Sequence, residues 1–395
     1  MDTERLVSHR ARSMDASGIR RVFDLGARLK DPINFSIGQP DFPVPDAVKH
    51  AAARAIHENH NGYTLSQGIP PLKRKIAEHL HEDLGWPPDA GEPGSGVGVI
   101  VTTGTSGAIH IAMLALLDEG DEIIIPDPYF VAYPSMARVA GGRAVRCDTY
   151  PDFRMTAERI EPLITARTKA VMLNSPGNPS GVVMSERECL EVLDLCRRRG
   201  VLLISDEIYD EFTFDDAREV TRHRGSRTAR CPSPCRAGGS EEDVLLIRGF
   251  GKTYGCTGWR MGYTAGPRTL IEHMTKMQQY SFVCAPAPLQ WGCIATFGID
   301  MTETVARFKA RRETVIRALS PHTRVTTPGG AFYAFVEVPQ RLGLTGQQFF
   351  ERAVERNVLV IPGNVFSDRD THFRLSFAVS EDRLERGLGV LAELL

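Results

Sequence analysis

The feature that most constrains the fold is a pair of short runs that are apolar at consecutive positions, VLLIS at Val201–Ser205 and VLLIR at Val244–Arg248. Successive strand side chains point to opposite faces, so runs like these must be covered on both sides. A mostly parallel sheet with helices on each face does this. From Val99 onward such strand-like runs recur, at Val99–Thr103, Glu122–Pro126, Arg143–Cys147, Lys169–Asn174, Val201–Asp206, Val244–Gly249 and Gly262–Ala265. Amphipathic segments lie between several of them, for example Ser185–Arg199 with Leu190, Val192, Leu193 and Cys196. The expectation is an α/β protein whose large domain has three layers around a mostly parallel sheet.

Beyond this region the pattern changes. Residues 287–319 read as one or two long helices, followed by strand-like pieces at Ala331–Val338, Val358–Ile361 and Phe373–Ala378 with helices beside them. This predicts a smaller α+β domain. A helix at about Ser13–Leu29 is expected to pack with it, because chain ends must dock to be ordered. The expected division is 46–295 for the large domain, with 1–45 and 296–395 together forming the small one. No internal repeat is visible. Asp215–Asp243 carries Arg218, Arg222, Arg224, Arg227, Arg230 and Arg236 with little apolar content, and reads as a solvated, partly disordered insertion. It follows Tyr209 closely enough to suggest a place near a site mouth.

Composition narrows the function. A formal net charge of -2 offers no electrostatic case for nucleic acid or an anionic membrane. The opening MDTERLVSHRARS has no apolar stretch, so no secretory leader is expected. The apolar segment around Ala108–Leu117 contains His110 and is too short to span a bilayer. Of 8 cysteines only Cys231 and Cys235 stand close together, and no second Cys/His pair has zinc-like spacing. Reduced thiols in a cytoplasmic protein without a metal are expected.

Five segments carry candidate chemistry. VTTGTSGA (Val101–Ala108) ends a strand and begins a helix. The free amides of a helix N-terminus, with Gly104, Thr105 and Ser106, can hold an anion, or the segment is a plain helix cap. It has neither dinucleotide nor P-loop glycine spacing. NSPGNPSG (Asn174–Gly181) is a rigid loop that can present Asn178, or a simple turn. In VLLISDEIY the strand delivers Asp206 to its carboxyl end, where open α/β sheets bind ligands, with Tyr209 three residues on. A buried carboxylate there needs a cation, or caps a helix. GFGKTYGCTGWRMG (Gly249–Gly262) sets Lys252 in a glycine-rich turn with Arg260 beyond it. A lysine near a cationic group loses its proton readily and becomes a nucleophile, and Arg260 can grip a phosphate with two donors. Finally, Arg374 in FRLSFA can fork onto a carboxylate from a strand, or lie on an exposed edge.

With these residues in hand the chain resembles the class I/II aminotransferases, the fold-type-I pyridoxal-phosphate enzymes. The likeness runs from FSIGQPDFPVP (Phe35–Pro45) through GYTLSQGIPPLK (Gly62–Lys73) to FRLSFAVSEDRL (Phe373–Leu384). It implies that Lys252 carries pyridoxal 5'-phosphate as a Schiff base and later shuttles a proton. It implies that Asp206 pairs with the ring nitrogen, that Asn178 and Tyr209 bond the ring 3-oxygen, and that Phe130 stacks on the ring. Gly104, Thr105, Ser106 and Arg260 would cradle the phosphate. Arg374, helped by Gly38 and Asn178, would bind the substrate α-carboxylate. Tyr63 looks like the tyrosine that reaches a neighbouring subunit's phosphate, implying a homodimer with shared sites. Ile19, Ile37 and Tyr63 are candidate pocket walls. One departure is Gly249, where part of the family has Ser or Thr touching phosphate.

The resemblance implies ping-pong transfer of an amino group from an L-amino acid to a 2-oxo acid, with glutamate and 2-oxoglutarate as the second pair by analogy. A carbon–sulfur β-lyase would use the same Lys, Asp and Arg and is the alternative. A regulatory protein on this scaffold is disfavoured because the likeness begins near residue 13, with no DNA-binding domain before it.

Overall fold

The computed structural model describes residues 1–14, 18–223 and 226–395. Its centre is a seven-stranded sheet. The strands are β1 (Val97–Thr103), β2 (Glu122–Asp127), β3 (Arg143–Asp148), β4 (Thr168–Asn174), β5 (Leu202–Asp206), β6 (Val244–Gly249) and β7 (Met261–Pro267). They lie in the order β1-β7-β6-β5-β4-β2-β3. All neighbours are parallel except β7, which runs antiparallel to both β1 and β6.

Both faces are buried, as the apolar runs require. In β6, Val244 and Leu246 pack with Leu72, Ile76 and Leu80 of the helix Pro70–Leu84 and with Val192 and Leu193 of the helix Glu186–Arg199. Leu245 and Ile247 pack the other way, with Ile109 and Ile111 of the helix Gly104–Leu116 and Ile271 and Met274 of the helix Arg268–Gln279. Each such buried side chain contributes on the order of 1.5–3 kcal/mol. The helix Glu186–Arg199 has unambiguous ends. Ser185 and Glu188 form a reciprocal capping box, and Gly200 closes the helix at φ 65, the left-handed region where glycine is unstrained.

A third core gathers Val22, Ile33 and Phe35 from the N-terminal segment with Phe349, Phe373, Leu375 and Leu388. It surrounds a three-stranded antiparallel sheet of β8 (Tyr333–Glu337), β9 (Ile361–Pro362) and β10 (His372–Ser376), in the order β8-β10-β9. Ile33–Asn34 pairs in parallel with Val358–Leu359, so the N-terminal segment docks against the C-terminal one. The run expected as one strand at Val358–Ile361 is thus split between two sheets. The stretch 287–319 forms two helices, Ala287–Ile294 and Thr302–Leu319, with a 3-10 turn at Ala295–Gly298 between them. Part of the expected N-terminal helix, 15–17, lies outside the described residues, and the helix that follows covers Gly18–Gly26.

The arginine-rich insertion corrects an expectation. Glu219–His223 pairs antiparallel with Ser226–Arg230, and Cys231, Ser233 and Cys235 are buried. The Trp86 indole donates to the Cys235 carbonyl at 2.8 Å, and Arg230 and Arg236 both reach Asp83. Low apolar content misled because this segment is held by ion pairs and one indole rather than by a stripe of its own. The whole of Arg224 and the side chains of Arg222 and Arg227 lie outside the described residues. Among the described residues no helix is long and apolar enough to cross a membrane.

Candidate active site

The carboxyl ends of β4 and β5 lie in register, pairing Asn174 with Asp206. Asn174 Nδ2 donates to the Asp206 carbonyl at 3.0 Å, and Asn174 Oδ1 accepts from the Asn178 amide at 2.9 Å, so one side chain fixes both the strand end and the loop. Tyr133, from the helix Ala132–Val139, donates its hydroxyl to Asp206 Oδ2 at 2.6 Å, and the Ile208 amide approaches Oδ1 at 3.4 Å. Burial pushes the Asp206 carboxyl up to about 6, the Tyr133 hydroxyl and Ile208 amide pull it back, and neighbouring Glu207 pushes it further up.

Lys252 stands on the single helical turn Phe250–Thr253 after β6. Its ammonium donates to the Gly38 carbonyl. Desolvation, helped by the Arg374 and Arg260 charges, pushes it down to about 8. Arg260 precedes β7 with φ 54, and Gly104 opens its helix at φ 70. A Cβ at Gly104 would lie 2.7 Å from Arg260 Nη2, so glycine there makes room for the guanidinium beside the helix N-terminus.

Arg374 sits in β10, buried rather than on an exposed edge. Its Nη1 donates to Asn178 Oδ1 at 3.0 Å and its Nη2 to the Ser36 carbonyl at 2.8 Å, while Nε has no partner. The guanidinium lies 4.5 Å from the Tyr333 ring centroid and 4.9 Å from that of Phe366. The hydroxyls of Tyr333 and Tyr209 are 3.0 Å apart.

These groups line one cavity of about 270 Å³. Gly38, Gly104, Thr105, Ser106, Phe130, Asn178, Asp206, Tyr209, Lys252, Arg260 and Arg374 all face it, as does Ile19. Two expected wall residues do not. Tyr63 is 89% exposed and Ile37 36% exposed, and neither lines the cavity. The insertion also contributes none of its described residues to the lining. A more open cleft of about 720 Å³ beside the helix Gly18–Gly26 contains none of the chemically active groups.

Sequence reasoning missed Tyr133, Asn174 and Tyr333, which also line the cavity. Tyr133 follows Phe130 by three residues, the spacing that places both on one side of a helical turn. Asn174 opens a motif already singled out. Tyr333 gave no local signal, since only the bridge between Thr213 and Gly330, with the Ala331 amide on the Phe212 carbonyl, brings it to Tyr209. Gly249 has a local reason. A Cβ there would lie 2.7 Å from Ile208 Cδ1 and 2.9 Å from Thr105 Cγ2, so the space a larger residue needs is filled.

The fold and site define an α/β transferase of the fold-type-I class, with its cavity at the carboxyl ends of the central strands. The family model for aminotransferase class I and II matches residues 30–391. The chain is 32% identical over 395 residues to the aspartate aminotransferase of Geobacillus stearothermophilus, covering 96% of each. The aspartate aminotransferase of Thermus thermophilus superimposes with a TM-score of 0.86 at 30% identity, over 98% of this chain and 99% of that one. The aromatic aminotransferase of Pyrococcus horikoshii superimposes with a TM-score of 0.84 at 29% identity, over 95% and 98%. The chain belongs to the class I and II aminotransferases. It is an enzyme that moves an amino group from an amino acid to a 2-oxo acid; these relatives support transfer over the lyase alternative.

Proposed function

We propose that the cavity holds pyridoxal 5'-phosphate on Lys252. The residues fit that group. The buried Asp206 carboxylate faces the cavity with hydroxyl and amide donors but no cation among them, as a partner for a protonated ring nitrogen requires. Thr105, Ser106, Arg260 and the helix start at Gly104 supply donors and positive charge for a phosphate. Bound there, the cofactor supplies an electron sink for charge developing at the substrate Cα.

The protein's own groups do the rest. Asp206 keeps a proton on the ring nitrogen. Asn178 and Tyr209 hold the ring 3-oxygen, and Phe130 covers a ring face. Arg374 grips the substrate α-carboxylate, using its unpartnered Nε beside donors already oriented by Asn178 and the Ser36 carbonyl. Gly38 adds a backbone contact. The Lys252 amine, once displaced by the substrate amine, moves a proton between Cα and C4′. Its lowered pKa makes the neutral base available near neutral pH. Return of the amino group to a second 2-oxo acid gives ping-pong kinetics.

The observation that carries this reading is Lys252 and Asp206 in one cavity with Arg374. Borohydride reduction of the holoenzyme followed by peptide mapping should place the cofactor on Lys252. An unmodified lysine there refutes the assignment. A half-reaction screen against single amino acids then identifies the donor.

We propose the domain division 46–295 against 1–45 plus 296–395, supported by the core that the N- and C-terminal segments share, to which Phe153, Val182, Tyr209, Phe212 and Phe214 of the larger part also contribute. A homodimer is supported by exposed apolar side chains at Tyr63, Leu65, Tyr280 and Phe282, whose loops are joined by a hydrogen bond from Gln278 to the Ser66 carbonyl. In that arrangement Tyr63 serves the partner's site. A cytoplasmic setting is supported by eight free cysteines. The partners are the amino acid and 2-oxo acid substrates, with neither nucleic acid nor membrane.

A further inference from the structure

Behind the cavity, on the far side of the β5 and β6 ends, lies a buried ionic network outside the chemistry assigned above. At its centre is Arg248, 2% exposed. Its Nη2 lies 2.8 Å from Glu207 Oε2 and 2.9 Å from Asp83 Oδ2, and its Nε lies 3.1 Å from Asp210 Oδ2. Its Nη1 is 3.3 Å from His79 Nε2. Glu207 Oε1 accepts from Ser205 at 2.9 Å and from Ser233 of the insertion at 2.6 Å. Two further cations come from the insertion, with Arg230 2.7 Å and Arg236 3.3 Å from Asp83 Oδ1.

The network therefore sets three arginines, 230, 236 and 248, against three carboxylates, 83, 207 and 210. Burial and Arg248 push the His79 imidazole down to about 4, so it adds no charge at neutral pH. Against the penalty of burial, Arg248, Arg236 and Arg230 hold Asp83 well below the usual carboxylate range. Arg248 is thus shared among Asp83, Glu207 and Asp210, with the insertion's Arg230 and Arg236 carrying part of Asp83. Burial pushes the Asp210 carboxyl up to about 7 against the pull of Arg248, so Glu207 is the carboxylate beside Asp206 whose charge Arg248 chiefly offsets.

Those two carboxylates flank the catalytic segment. Glu207 is the chain neighbour of Asp206, and Asp210 that of Tyr209. Arg248 itself stands four residues before Lys252, and the Glu207 amide donates to the Ile247 carbonyl at 2.9 Å. Asp206 faces Tyr133 and Tyr209 from the cavity side and Glu207 from behind, and no other carboxylate adjoins it among the described contacts.

We infer that Arg248 is a positioning residue that holds Asp206 in its charged form by neutralising Glu207 behind it, with the insertion's Arg230 and Arg236 sharing Asp83 with it. The inference rests on Asp206 as the partner of the cofactor ring nitrogen. Removing the Arg248 charge leaves Glu207 uncompensated one residue from Asp206, in a site with little water to screen it. Protonation of Asp206 then begins at higher pH, and its grip on a protonated ring nitrogen weakens there.

The test is the pH dependence of pyridoxal phosphate dissociation from the holoenzyme, with the pH profile of kcat/KM alongside. Arg248→Met should move the acid-side midpoint of both up by about one pH unit. Glu207→Gln should move it down, since the nearest like charge is gone. The double variant should return it close to wild type, a rescue that loss of packing alone does not produce. Should Arg248→Met fail to fold, Glu207→Gln alone decides, because an unmoved midpoint overturns the inference. Unmoved midpoints in all three variants also overturn it. Asp206→Asn separates the two readings. If that variant binds cofactor and turns over like wild type, the role given to Asp206 fails; if it is inactive while the other variants show no shift, only the role of Arg248 fails.

Discussion

The Tyr133 hydroxyl donates to Asp206 Oδ2 at 2.6 Å, a charge-assisted hydrogen bond between a helix and a strand end 73 residues apart in sequence. It is the shortest polar contact of the Asp206 carboxylate, and it opposes the upward push of burial.

Tyr133→Phe removes that donor and keeps the ring. A hydrogen bond to a charged group is worth about 1.5–3 kcal/mol, so kcat/KM should fall roughly 10- to 100-fold. Because the bond favours the ionised form, its loss raises the Asp206 pKa. The acid limb of the kcat/KM profile should therefore shift to higher pH. An unshifted limb means that Asp206 does not govern it.

Arg374→Lys keeps the charge and loses the planar fork. A single ammonium cannot reproduce contacts to Asn178, the Ser36 carbonyl and a substrate carboxylate together. The half-reaction rate constant at low amino acid concentration should drop about 100-fold, a loss of roughly 2–3 kcal/mol. Methylamine, which has no carboxylate, should lose nothing by comparison. Equal losses for both amines count against carboxylate recognition by Arg374.

The lowered pKa of Lys252 links to stability in the cofactor-free protein. Folding moves it from 10.5 to about 8, so between these values the unfolded chain binds more protons than the folded one. Stability must then rise with pH across that window through this group, and the penalty is greatest below pH 8. Lys252→Met lacks the titration. The difference in melting free energy between variant and wild type, largest near neutral pH, should shrink by roughly 1–3 kcal/mol as pH rises to about 10.5. A constant difference would show that the buried lysine keeps its ordinary pKa.

Gly249→Ser places a Cβ against Ile208 and Thr105. Overpacking of this kind costs about 1–3 kcal/mol. Thermal unfolding of the holoenzyme should move down, and phosphate affinity should not improve despite the added hydroxyl. A tighter cofactor with unchanged melting temperature would show that the pocket accommodates the side chain.

Much of this molecule was readable from local pattern alone. The unbroken apolar run in VLLIR requires cover on both faces, as a mostly parallel sheet between helices provides. The glycines at Gly104 and around Lys252, and the polar stop of the apolar run at Asp206, likewise point these residues to strand ends, because chemistry and backbone geometry are encoded within a few neighbouring positions. Three features were not readable in this way. Tyr333 meets Tyr209 across 124 residues. The insertion, polar by composition, is anchored by Asp83 and Trp86, each more than 140 residues upstream of its partner. Arg248 finds Asp83 on one segment and Glu207 and Asp210 on another.

The physical reason is common to all three. Hydrophobic periodicity depends on neighbours along one element, so the chain by itself determined the layers and the strand ends that carry the lysine and the aspartate. Pairing of buried polar groups depends on which segments pack side by side, since a charge taken out of water is tolerated only where a partner is brought to it. Tertiary structure alone decided which tyrosine supports Asp206, where Arg374 points, and which arginine neutralises the carboxylates behind the site.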